Sequence, residues 1–187
     1  MTENALASAG DKSHFLQRPR AFNSIFYGGM AVGVLDGMAA VILASLFGRG
    51  PRIMFQSIAS GLIGRASLEG GWATVLLGAS LHFLIASIWA AIYYGASLKL
   101  PALIRRAFIC GPIYGVVVFF AMQMIVLPLS AIRKDPFSFG TPSQVTRGII
   151  VHILCVGLPI ALLARRAAKS DGEWGMGSGE WGVRSGK

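Results

Sequence analysis

The chain has 187 residues, of which 54% are hydrophobic and only 13% charged, with a mean hydropathy of +0.62. A soluble domain carries about 25% charged residues, so the composition excludes a disordered chain and an ordinary water-soluble enzyme and leaves a small polytopic membrane protein. The net charge of +9 does not point to nucleic acid. The basic residues lie between and beside apolar runs, as in loops held against anionic headgroups, and are not interleaved with aromatics on a soluble scaffold.

In chain order, a polar segment over 1–21 precedes a first apolar helix over about 22–47. This helix is too long, and too far from the first residue, for a cleaved secretory segment, and reads as retained. PRIMFQSIASGLIG, residues 51–64, is apolar but too short to span, so it is expected to lie at the interface or to re-enter the membrane. Further spans are expected over about 72–98, 105–129 and 142–166, each near the roughly 20 residues a bilayer core requires. Within the apolar windows 25–47, 73–98, 107–129 and 148–164 the only formally charged side chain is Asp36. A soluble helix cannot stay uncharged around its whole circumference for so long.

Thr141, Pro142 and Gln144 read as N-cap, first-turn proline and capping-box partner, which starts the fourth helix near Pro142 with Arg147 snorkelling. Trp72, Trp89, Tyr93 and Tyr94 read as interfacial anchors of the second helix, and Tyr114 as another on the third. The tail over 169–187 holds a tandem repeat, GEWGMGS and GEWGVRS, and has so little to bury that disorder is expected. Cys110 and Cys155 lack metal-ligand spacing and read as small hydrophobes, with no metal site and no disulfide.

The helices pair into two similar units. The first helix of each carries GxxxG, as Gly29 and Gly33 extended to Gly37, and as Gly111 and Gly115; the second carries GxxxH, as Gly78 with His82 and Gly148 with His152. Small residues let helices approach closely in lipid, which assigns these glycines to helix packing. The expected fold is all-α, a four-transmembrane-helix bundle built from two pseudo-repeated helical hairpins related by an axis along the membrane normal.

The order GVLDGMAA, LHFLIA with a following Tyr, GPIYG, VLPLS and a final His-bearing helix ending in Arg165 and Arg166 resembles the YagU-like inner-membrane proteins of bacteria, an uncharacterised family. The resemblance covers about residues 73–166. It implies a helical bundle in the bacterial inner membrane, and brings no substrate or catalytic residue with it.

Asp36, His82, His152 and Gln123 are the strongest polar groups in the spans. Asp36, His82 and His152 each lie ten or eleven residues, about 15 Å, from one helix end, which puts them at similar depth near the midplane. At that depth an ionisable group costs about 3 kcal/mol or more unless it faces a partner, water or a cavity. The histidines have three readings: neutral imidazoles that tie helices together, a proton- or ion-handling site with Asp36, or axial ligands of a haem b. No GxSxG, phosphate-binding loop, HExxH or CxxC cluster is present, so no enzymatic activity is expected.

Beyond the lipid bilayer, a second copy or a larger membrane complex are the partner types considered, with the loop over 131–146 and its Phe137 and Phe139 as the surface of a structural or assembly protein. Of the 17 Lys and Arg, eleven fall on the side of the termini and the second loop, and six (Arg49, Arg52, Arg65, Arg133, Lys134, Arg147) on the other. The positive-inside rule then puts both termini in the cytoplasm.

Overall fold

The computed structural model describes the backbone of residues 18–132 and 138–176 and the side chains of 25–132 and 138–167. The remaining residues, including Lys12, Arg133, Lys134, Phe137 and the second Gly-Trp repeat, lie outside the described residues. The elements are α1 (Arg18–Leu46), α2 (Pro51–Ile63), a 3-10 turn (Gly64–Leu68), α3 (Gly71–Lys99), α4 (Pro101–Arg105), α5 (Ala107–Ala121), a π turn (Met122–Val126), α6 (Leu127–Leu129), α7 (Pro142–Val151), a second π turn (His152–Gly157) and α8 (Leu158–Met176). No strand occurs among the described residues.

Four stretches are long and apolar enough to cross a membrane: Ile25–Leu46, Gly71–Lys99, Ala107–Leu129 and Pro142–Ala167. Large apolar side chains such as Leu35, Leu76, Ile113 and Leu154 stand exposed around the bundle. An apolar circumference of this extent is stable only against lipid, and the chain is a multi-pass membrane protein.

Local chemistry sets the helix ends. Arg49 N–H donates to the Ala44 carbonyl at 2.7 Å and Gly48 N–H to that of Ser45 at 3.1 Å, with Gly48 at φ 73°, which closes α1 in a Schellman motif. Pro51 opens α2, and Gly64, at φ 69°, ends it. At the start of α7 the Thr141 N–H donates to Gln144 Oε1 at 2.8 Å while Thr141 Oγ1 accepts from Gln144 N–H, so the expected capping box is present. Arg147 rests its guanidinium over the Phe47 ring, 4.4 Å from the centroid.

Each π turn ends two residues before a proline, Pro128 or Pro159. A proline ring collides with the carbonyl four residues earlier, here Met124 or Cys155, and widening that turn relieves the collision.

Both hairpins share one register. Gly33 lies against Phe83, the residue after His82, and Gly29 against Ser87, five after it. In the second hairpin Gly115 lies against His152 and Ile153, and Gly111 against Gly157, again five after the histidine. The hairpins join where α1 packs on the fourth span, around a core of small and branched residues including Val32, Ala86, Ala90, Val118 and Ile160.

α2 docks against α3, touches α1 and lines one side of the bundle's interior. The Phe55 backbone carbonyl presses on Gly78. Gln56, 2% exposed, donates from Nε2 to the Gly71 carbonyl at 3.2 Å and to Thr74 Oγ1 at 3.1 Å, while its own carbonyl accepts from Ser67 Oγ at 2.9 Å. At the far end, Ala131 N–H donates to the Gly61 carbonyl at 2.8 Å.

Two expectations need correction. Tyr93 is 1% exposed and donates to the Leu103 carbonyl at 3.0 Å, and Tyr114 donates to the Trp89 carbonyl at 2.7 Å with its ring 4.9 Å from that of Tyr93. Tyr93, Trp89 and Tyr114 are therefore ties between helices and not interfacial anchors. Each phenol finds a carbonyl inside the bundle, so it has no need of the headgroup layer. Secondly, α8 runs to Met176, through part of the first Gly-Trp repeat, where disorder was expected from 169. A helix already nucleated adds residues without a fresh nucleation cost, and Ala164 to Lys169 are strong helix formers.

Candidate functional site

A cavity of about 320 Å³ lies at the centre of the bundle. Its wall is almost entirely apolar, with Val32, Ile85, Ala86, Trp89, Val118 and Val156 among its residues, and α2 closes one side with Met54, Ser57 and Ile58. Into this one space come Asp36 from the first span, His82 from the second and His152 from the fourth. The third span contributes Val118 and Met122. Gln123, next to Met122 in the π turn, is half-buried and is not among the lining residues.

The two imidazoles are held differently. His82 Nε2 lies 2.9 Å from the Gly33 carbonyl, which can only accept, so Nε2 carries a proton and Nδ1 is the basic nitrogen of the neutral ring. Asp36 Oδ2 is 4.0 Å from the same Nε2, with the two side chains 21% and 11% exposed. That is beyond a hydrogen bond but within reach of an ion pair once the ring is protonated. His152 donates from Nδ1 to the Gly148 carbonyl of its own helix at 2.8 Å, leaving Nε2 as its basic nitrogen. Aromatic edges flank both rings: Phe83 at 5.7 Å and Phe55 at 6.5 Å from His82, Phe119 at 5.4 Å from His152.

The packing glycines each meet a neighbouring element. Besides the four already placed, Gly37 faces His82, Gly78 faces α2 and Gly148 faces the Phe119 ring. Gly157 was not anticipated, although it sits against Gly111 and Gly115 at the closest point of the second hairpin. Its spacing from His152 matches that of Ser87 from His82, a signal readable only once the hairpin register is known. Met54, Ser57 and Gln56 were also missed, because nothing in an apolar 13-residue helix states where it docks.

His82 Nε2 is turned onto the backbone of α1, bonded to the Gly33 carbonyl and facing Gly37. No cluster of three or more His, Cys, Asp or Glu suited to a metal occurs among the described residues. What the site can do is bind a proton on either imidazole in an apolar enclosure, with one carboxylate as counter-charge.

Comparison of the chain with protein families, with curated proteins and with solved structures finds no match.

Proposed function

We propose that this chain is a small transport or proton-handling protein of a bacterial inner membrane, with Asp36, His82 and His152 as its working groups. Three ionisable side chains from three spans line one small apolar cavity, and that juxtaposition carries the reading. Each costs about 3 kcal/mol or more in hydrocarbon, so their gathering around a shared space favours a role for the charge. Protonation of His82 puts an imidazolium 4.0 Å from Asp36, and the resulting ion pair can be loaded and unloaded without moving a helix. In this reading both termini face the cytoplasm, and the resemblance to YagU-like proteins gives the membrane in which to look.

The test is proton flux into vesicles carrying the purified chain, followed with an enclosed pH-sensitive dye, together with the melting temperature of each variant in detergent. Asp36→Asn keeps the side-chain shape and removes the charge. Flux is expected to fall at least tenfold with the melting temperature unchanged, since a relay missing its counter-charge loses the ion-paired state. Undiminished flux, or loss of flux and stability in parallel, would overturn the reading.

A further inference from the structure

A second cavity, of about 530 Å³, opens at the end of the bundle closed by α2. Leu43 and Ala44 of the first span, Phe47 just past its end and Ile53 of α2 form an apolar wall, and Arg49, Arg147, Thr141 and Gln144 form a polar one. Both arginines line this one space. Among the described side chains the carboxylates are Asp36, which lines the central cavity, and Glu69, beyond the 3-10 turn, and neither lines this one. Two cations lining one recess, with no carboxylate of the described side chains beside them, favour an anion placed between them.

The polar wall is already arranged for an oxyanion. Arg147 is held by its contact with Phe47, so less side-chain freedom is lost when its planar fork meets a ligand. Gln144, which also lines the recess, uses Oε1 to accept from Thr141 N–H, so the nitrogen of its amide can only donate. Arg49 sits just past the Schellman turn that ends α1, its backbone fixed by the bond to Ala44. Arginine pairs and an amide donor against an apolar wall suit a phosphate group that carries an apolar substituent, or a free phosphate resting on the polar wall alone. Met54 and Ser57 line both this recess and the central cavity, so an anion bound here sits one side-chain layer from Asp36, His82 and His152.

We propose that Arg49, Arg147 and Gln144 form a binding site for a phosphate oxyanion, supplied either by a lipid headgroup or as a free ion. The site does not depend on the proton-handling role of the central cavity.

The chain is purified into phosphatidylcholine nanodiscs, and its melting temperature is followed as inorganic phosphate is added. A parallel set of discs carries increasing fractions of phosphatidylglycerol. Stabilisation by phosphate identifies a free-ion site and stabilisation by phosphatidylglycerol alone a headgroup site. Either supports the proposal, provided that Arg49→Gln with Arg147→Gln abolishes it and Arg65→Gln, on an exposed arginine outside the cavity, leaves it intact. Losing one arginine is expected to weaken half-saturation about tenfold. If the double variant does not fold, Arg49→Gln alone decides, since Arg49 is exposed and its loss leaves no buried gap. No stabilisation by either source, an unchanged double or Arg49→Gln variant, or an equal loss in Arg65→Gln overturns the proposal.

Discussion

At the scale of single residues, His82 and His152 occupy matching places in their hairpins yet bond in opposite senses. The His82 ring crosses to another helix and donates to Gly33, whereas the His152 ring folds back on its own helix and donates to Gly148. The difference follows from what faces each ring. Gly37 leaves room on α1 for the His82 ring, which reaches the Gly33 carbonyl, while Phe119 packs over Gly148 and its edge meets the His152 ring. Removing the two rings should therefore have unequal effects on stability. His82→Ala is expected to lower the melting temperature in detergent, because it takes away an interhelical bond of the order of 0.6 kcal/mol together with contacts to Phe55 and Phe83. His152→Ala, which loses a bond within one helix, is expected to lower it less. Equal losses, or the reverse order, would show that the ties are not those described.

At the scale of elements, α2 forms one side of the central cavity. Its docking rests on the missing side chain of Gly78, since a Cβ there would run into the Phe55 carbonyl, which is backbone and cannot turn aside. Gly78→Ala is accordingly expected to push α2 off α3, break the Gln56 bonds to Gly71 and Thr74, and cost about 1–3 kcal/mol as overpacking does elsewhere. Gly28→Ala provides the comparison, because its new methyl would meet only the Ala90 Cβ at 3.9 Å, an ordinary contact. The melting temperature of Gly78→Ala should drop by several degrees and that of Gly28→Ala should hold; a similar drop in both would discount the special role of α2. This element also marks how far a sequence can be read. The four spans were legible from runs of uncharged residues, and the start of α7 from Thr141 and Gln144, because both signals are local. The depth-matched Asp36, His82 and His152 were legible from counting along helices. Where α2 docks, and why Tyr93 turns inward to Leu103, depends on surfaces from distant parts of the chain, and a short apolar helix or a tyrosine near a span end carries no record of them.

At the scale of the whole molecule, the two ends of the bundle differ in charge, and the difference has a consequence for orientation. In the sequence, the segments joining the first span to the second and the third to the fourth, with Arg147, hold six of the 17 basic residues, and the segments before the first span, between the second and third and after the fourth hold eleven. Basic loops are retained on the cytoplasmic side, so α4 is expected inside and the turn before α7 outside. The far terminal Lys and Arg weigh little in that rule, so the deciding residues are Lys99, Arg105, Arg106, Arg165 and Arg166, all close to span ends. Single cysteines can read the result once Cys110 and Cys155 are replaced by alanine. Ser97 is polar but only 7% exposed, with its hydroxyl bonded to the Tyr94 carbonyl, so a label would not reach it. Leu100, 58% exposed in the turn before α4, and Ser138, exposed before Thr141, are the appropriate positions. A membrane-impermeant thiol reagent applied to intact cells from which the outer barrier has been removed should label Ser138→Cys and spare Leu100→Cys, with the pattern reversed in inside-out vesicles. The opposite pattern would invert the molecule and turn the recess of Arg49 and Arg147 toward the cytoplasm. Label at both positions from one face would mean that the third apolar helix, Ala107–Leu129, does not cross between them.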